Sequence, residues 1–307
     1  MVLKPAHQRE AIVGKILFLV LLGIFVTTLT MLGFLMLRGE NVTKTSATED
    51  SRIAELVPEA QQKTEVAPEV TKINLQPAVD EWAASVGGNR SVLIYDLERD
   101  EMVGEYNTAE SYNTASLYKL FVVYEGYRRL QSGEWQAEEV AGSTGYTILE
   151  CLDLAIRESY SPCAETLWGY IGHDELDEII EKDFKITNSD ISGLVSNVYD
   201  IERMMQLFYE HPDITDEVLI ERMKDSFLNQ PVTTYNWRQG LPSGFSDVVN
   251  VYNKVGWAWN GSSWDIYHDA AIVEFAELDR HFIVVVMTNQ VPYQKIRELG
   301  SKIESSF

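Results

Sequence analysis

Apolar positions along residues 74–307 change period twice. From Leu75 to Val86 they fall at Leu75, Val79, Trp82 and Val86, on one face of a helix that Gly87-Gly88 ends. Ser91 to Asp96 (SVLIYD) is a strand-like run. Met102 to Tyr106 returns after the turn-forming Glu98-Arg99-Asp100, so a hairpin follows the first helix. The middle of the chain has helical spacing: Ser116–Gln131, about Thr147 to Glu158, a helix after Pro162, Glu175–Asp183, Tyr199–Glu210 and Asp216–Phe227. Pro162 suits a first helical turn, where a missing N–H costs nothing. After Leu241-Pro242 the pattern turns to strands again at Val248–Trp257, Ala270–Phe275 and His281–Thr288, and Pro292–Ser305 closes the chain as a helix. This order predicts an α+β fold. One antiparallel five-stranded sheet carries the terminal helices on a face, and the helical middle forms a second, all-helical lobe. A cleft is expected between sheet and lobe, with the Ser116 helix starting at that boundary.

Before this domain lies Ile16 to Leu37, an uncharged apolar run of 22 residues. About 20 such residues cross a bilayer as a helix. Lys4, Arg9 and Lys15 precede it, with Glu10 the one acid there, which favours residues 1–15 inside and the remainder outside. The run is long for a signal peptide and Leu-Met-Leu-Arg-Gly-Glu follows it, so an uncleaved single-pass anchor in the cell membrane is expected, with the domain extracytoplasmic. Residues 38–73 hold seven acids, five bases and no aromatic, too little apolar surface to fold alone, and read as a flexible tether. The domain then spans 74–307.

The net charge of −22 falls almost entirely on that domain, because the anchor region and the tether cancel. Such acidity excludes nucleic acid and anionic lipid surfaces as partners. Cys151 and Cys163 are the two cysteines; outside the membrane they form either a disulfide or two buried thiols. No metal-ligand cluster or glycine-rich phosphate loop is visible, His173 and His268 are isolated and read as structural, and no cofactor is called for.

Candidate chemistry centres on Ser116-Leu117-Tyr118-Lys119. Helical spacing puts Ser116 and Lys119 side by side. A serine hydroxyl needs a neighbouring base, and a lysine serves only if burial or another cation pulls its pKa well below about 10.4. The bare pair occurs by chance in many helices, where it is an N-cap serine beside a solvent-facing lysine. Two later motifs change its meaning. Ser159-Tyr160-Ser161 lies between two helices, and Lys254-Val255-Gly256 lies on a strand opposite the cleft.

Serine–lysine, a serine-containing turn and lysine–x–glycine, in that order, resemble the penicillin-recognising serine hydrolases, class A β-lactamases in particular, which carry S-x-x-K, S-D-N and K-T-G. Gly240-Leu241-Pro242 and His268-Asp269-Ala270-Ala271 fit as surroundings, and the resemblance spans roughly residues 74–307. Taken with the chemistry, it implies that Ser116 attacks a carbonyl and is acylated, Lys119 takes its proton, and Ser159 relays a proton to the leaving nitrogen. Lys254 would hold a substrate carboxylate and lower the pKa of Lys119 by repulsion. The backbone N–H groups of Ser116 and Trp257 would form the oxyanion hole, and Ser161, Val255 and Gly256 would line the substrate. The implied substrates are a β-lactam or a cell-wall stem peptide.

Three departures qualify the resemblance. Ser161 replaces an asparagine, and Tyr160 the acid before it. Val255 replaces a threonine whose hydroxyl binds the carboxylate, and no Lys or Arg follows until Arg280, so carboxylate recognition is weaker or comes from elsewhere, such as Lys295. The family's E-x-x-L-N loop is replaced by Ile186–Leu194, which has no glutamate; its one acid, Asp190, reads as a turn former, and Asp225-Ser-Phe-Leu-Asn229 as a helix end. An acyl-enzyme should therefore persist. Two alternatives remain open: a retired hydrolase fold serving as a binding scaffold, and an esterase whose cleft is lined by Trp257, Trp259 and Trp264.

Overall fold

The computed structural model describes residues 72–259 and 264–307. The expected cytoplasmic segment, the anchor at 16–37 and nearly all of the tether lie outside the described residues. Among the described residues no helix is long and apolar enough to cross a membrane.

The elements in chain order are α1 (Gln76–Ser85), β1 (Asn89–Asp96), β2 (Glu101–Tyr106), β3 (Tyr112–Asn113), a 3-10 turn (Ala115–Leu117), α2 (Tyr118–Ser132), α3 (Ile148–Arg157), α4 (Ser161–Ile171) and α5 (His173–Lys182). They continue with β4 (Val195–Ser196), α6 (Val198–Glu210), α7 (Glu217–Leu228), β5 (Asn250–Trp259), β6 (Trp264–Phe275), β7 (Arg280–Asn289) and α8 (Tyr293–Glu304). The expected sheet is present, antiparallel throughout and ordered β2-β1-β7-β6-β5. The first strand in chain order, β1, pairs directly with the last, β7, so the two ends of the described domain meet in one sheet.

Both faces of the sheet are covered, which explains why β7 reads as a nearly unbroken apolar run rather than an alternation. Strand alternation divides the core in two. On one face Val92, Ile94, Val284 and Val286 meet Val79 and Trp82 of α1 and Ile296, Leu299 and Ile303 of α8. Trp82 Nε1 donates to the Lys295 carbonyl at 2.6 Å and ties these two helices together. On the other face Leu93, Ile283, Val285 and Met287 meet the helical lobe, whose centre is α2. Phe121, Tyr124 and Tyr127 of that helix are fully buried. Gly133, left-handed at φ 76°, caps its end.

Three local features differ from the sequence expectation. Ser116 sits in the 3-10 turn, and the α-helix starts two residues later. β6 begins at Trp264, six residues early, because its first four residues are half-buried and the stretch before Ala270 lacks an apolar run. A two-residue ladder pairs Tyr112–Asn113 with Val195–Ser196, too short to leave any periodic signal. That ladder, with the Thr114 N–H donating to the Leu194 carbonyl at 2.8 Å, sets the 186–194 loop against the segment leading into Ser116.

Cys151 and Cys163 form a disulfide between α3 and α4, bracketing the Ser159 turn. Closing a loop of this size limits the unfolded chain and stabilises the fold by about 3 kcal/mol. Reduction, or a Cys151→Ala/Cys163→Ala pair, should lower the melting temperature measured by calorimetry; an unchanged temperature would contradict this.

Candidate active site

The segment before Ser116 is clamped from several directions. Asn113 Oδ1 accepts the Ala115 N–H at 2.9 Å, and the Asn113 carbonyl lies 2.8 Å from His268 Nε2. His268 Nδ1 accepts the Thr288 N–H at 2.9 Å, so its Nε2 carries the proton and donates to Asn113. Burial lowers its pKa to about 4 and keeps the ring neutral. The structural reading of His268 therefore holds, and its task is to fix the turn. Ala115 is left-handed at φ 45°, a conformation costly for a residue with a Cβ and sustained by these contacts.

The 3-10 turn eclipses positions i and i+3 more closely than an α-helix would. It brings Ser116 Oγ to 3.2 Å from Lys119 Nζ. Lys119 Nζ also donates to the Ser159 carbonyl at 2.5 Å, Ser159 Oγ at 3.3 Å and Ser161 Oγ at 3.0 Å. Lys254 Nζ reaches Ser159 Oγ from β5 at 2.9 Å and the Val255 carbonyl at 2.6 Å. A continuous polar path thus runs Ser116–Lys119–Ser159–Lys254. Ser159 adopts a left-handed φ of 54°, which aims both its oxygens at the lysines. Ser116 is half-buried, whereas Lys119 and Lys254 are both fully buried.

Burial shapes the electrostatics. It is the main cause pulling the Lys119 pKa down to about 8, opposed by the charge of Glu165. Lys254 is lowered well below its ordinary value by burial first and repulsion from Lys119 second, opposed by Asp269. The expected lowering of Lys119 is present, but its main cause is desolvation, and the repulsion is felt at Lys254. Asp269 is itself buried, with its pKa raised to about 7, and accepts from Asn253 Nδ2 at 2.9 Å and the Leu241 N–H at 2.8 Å.

Gly256 explains the third motif. A Cβ there would lie 2.7 Å from the Thr114 carbonyl and 2.8 Å from Leu117 Cγ, so only glycine lets β5 approach the nucleophile turn. Val255 is 1% exposed, so its side chain adds nothing to the cleft surface. Trp257 is half-buried one residue past Gly256. Lys295 is on α8 and paired with Glu298 at 2.7 Å. Asp190 accepts its own loop's Gly193 N–H at 2.8 Å, and Asp225 closes α7 while pairing with Arg157 at 2.6 Å, as a turn former and a helix end should.

Two residues escaped the sequence reading. Glu165 lies one turn beyond Ser161 on α4 and accepts the Tyr118 hydroxyl at 2.6 Å; the adjacency of Tyr118 to Lys119 and the i, i+4 spacing of Ser161 and Glu165 were the available signals. Arg238 donates to the Phe227 and Val251 carbonyls at 3.3 and 3.0 Å, anchoring the lower end of β5. Nothing local in the sequence marks that contact.

A two-core sheet and lobe, with a serine–lysine pair at their boundary, is the architecture of class A β-lactamases. The chain belongs to the beta-lactamase enzyme family, whose sequence model matches residues 74–306. An ancestral (GNCA) class A β-lactamase is 14% identical, with a TM-score of 0.65 over 76% of this chain and 100% of that one. A β-lactamase from Xanthomonas campestris pv. campestris is 12% identical, with a TM-score of 0.65 over 76% and 99%. A class A enzyme representing the last common ancestor of Gram-negative bacteria is 13% identical, with a TM-score of 0.66 over 76% and 99%. At such identities the likeness is one of fold. No curated protein sequence matches the chain.

Gly256→Ala should push β5 off the Thr114–Leu117 turn. The expected cost is ~1–3 kcal/mol of stability, the usual price of overpacking, together with a large fall in Ser116 reactivity. Denaturant unfolding and labelling with an active-site phosphonate measure the two; a variant with wild-type labelling would refute the close-approach argument.

Proposed function

We propose that the protein is a membrane-anchored, extracytoplasmic serine hydrolase or acyl-transferase, acylated on Ser116 by a β-lactam or a cell-wall peptide amide. The observation that carries this reading is the Ser116 hydroxyl 3.2 Å from a buried lysine whose pKa lies near 8. In the forward step the Ser116 proton passes to Lys119 as Oγ bonds to the carbonyl carbon. The carbon–nitrogen bond then breaks, and Ser159, hydrogen-bonded to both lysines, delivers a proton to the leaving nitrogen. The N–H groups of Ser116 and Trp257 serve as oxyanion donors, each worth on the order of 3 kcal/mol in such sites. β5 is one of the two outer strands of the sheet, and an outer strand leaves its outward-pointing N–H groups unpaired by the ladder. Water releases the acyl group as an acid and restores the Ser116 hydroxyl. That second half is slow in this reading. The 186–194 loop has no glutamate, and Asp190 is committed to its own turn. The apolar run at 16–37 supports the anchor.

A fluorescent penicillin should leave an adduct on Ser116, found by peptide mass spectrometry, absent in Ser116→Ala and lasting far longer than seconds. Folded protein that forms no adduct would remove β-lactam recognition, and rapid turnover would remove the slow second step.

The rate of acylation should also depend on pH. Lys119 must be neutral to accept a proton, so the rate should rise with pH up to about 8 and level off above it. Glu165 works against the lowering of the Lys119 pKa. Glu165→Gln should therefore move the midpoint of the stopped-flow profile to lower pH; a midpoint that stays or rises would contradict this assignment.

A further inference from the structure

The serine–lysine chemistry leaves one large feature of the cleft unused. Aromatic rings gather beside the outer strand of the sheet. Trp237 is the link to the nucleophile region, because its Nε1 donates to the Glu158 carbonyl at 3.0 Å, one residue before Ser159. Its ring meets Trp257 of β5 edge-on at 5.4 Å and Tyr235 at 4.9 Å. Tyr235 in turn meets Trp264 at 5.6 Å. Across the second motif, Tyr160 lies between the two serines, 37% exposed, with its ring 6.0 Å from Tyr146.

Core packing does not account for this group. A packing cluster closes over its rings, yet Tyr235 is 42% exposed and Tyr146 is 40% exposed. Exposed aromatic rings lying beside the second and third motifs have the usual composition of a recognition surface.

Among the described residues, by contrast, no free cation or hydroxyl replaces the usual anionic handle. Val255 offers no hydroxyl, and Lys254 is fully buried under Ser159. Arg238 is bound to the Phe227 and Val251 carbonyls, and Lys295 to Glu298. The chain's net charge of −22 adds a general repulsion against anions.

We infer that the substrate is recognised by an uncharged planar ring next to the scissile carbonyl, stacked on the Tyr235–Trp237 wall, rather than by a carboxylate. This rests on acylation at Ser116 and narrows the acyl donor to an arylacyl ester or amide recognised through its uncharged ring, any carboxylate it carries elsewhere being left without a dedicated partner.

Thioesters with one common leaving thiol test it: acetyl, phenylacetyl and 4-carboxyphenylacetyl. A fluorophosphonate that labels Ser116 serves as the independent check on the nucleophile. Phenylacetyl should acylate about tenfold faster than acetyl, the worth of one or two ring contacts, and carboxyphenylacetyl should lose that advantage. Tyr235→Ala and Trp237→Ala should bring the phenylacetyl-to-acetyl ratio close to one, while Trp237→Phe, which keeps a ring but loses the N–H, should retain it. Equal rates for all three esters, or a preference for the carboxylate, with Ser116 still labelled by the phosphonate, would overturn ring recognition and leave the serine reading standing. Ser116 unlabelled by the phosphonate in folded protein would overturn both.

Discussion

Lys119 and Lys254 are both withdrawn from water, and both donate to the Ser159 hydroxyl, at 3.3 and 2.9 Å. The two nitrogens therefore lie within about 6 Å of each other. Two charged ammonium groups at that distance would repel by ~3 kcal/mol even at an effective dielectric constant of 20, in addition to their desolvation. The fold meets this cost in two ways. Hydroxyls and carbonyls surround each nitrogen, so neither is without partners. Both pKa values are lowered, so the pair need not carry two full charges. The same burial that relieves the repulsion lets the lysine beside Ser116 give up its proton near pH 8 rather than above 10.

Carboxylates are placed with corresponding restraint. Glu165 and Asp269 each oppose the lowering of one lysine, but neither makes an ion pair with it. Glu165 accepts the Tyr118 hydroxyl, and Asp269 accepts from Asn253 and Leu241. A carboxylate in direct contact would hold its lysine charged and abolish it as a base. In a chain as acidic as this one, burial of the lysines is also what shields them from the rest of the surface.

Much of this was legible beforehand, for identifiable reasons. Long periodic segments such as His281–Thr288 and Tyr199–Glu210 are specified by burial on known faces, and β7 and α6 match them closely. The three motifs were legible because their chemistry is written in side chains. What escaped depends on contacts between distant residues. The two-residue ladder at Tyr112 and Ser196 has no period, the His268 clamp joins positions 155 residues apart, and the left-handed turns at Ala115 and Ser159 carry no glycine to announce them. The cause of the Lys119 shift was missed for a related reason: burial of a lysine is a property of the packed lobe and cannot be read from its neighbours in sequence.

The altered motif positions divide by what they touch. Ser161 no longer offers an amide to a substrate, yet its hydroxyl still reaches Lys119 at 3.0 Å. The hydroxyl thus retains the contact with the base and gives up the longer reach into the cleft. Gly256 keeps the strand close to the turn, whereas Val255 beside it is buried and contributes only its carbonyl, which Lys254 takes. Ser116, Lys119, Ser159 and Lys254 keep their residue types, and the change at Ser161 keeps a contact to Lys119. On the proposed function, these changes leave the serine–lysine geometry in place and alter the side chains offered beside it.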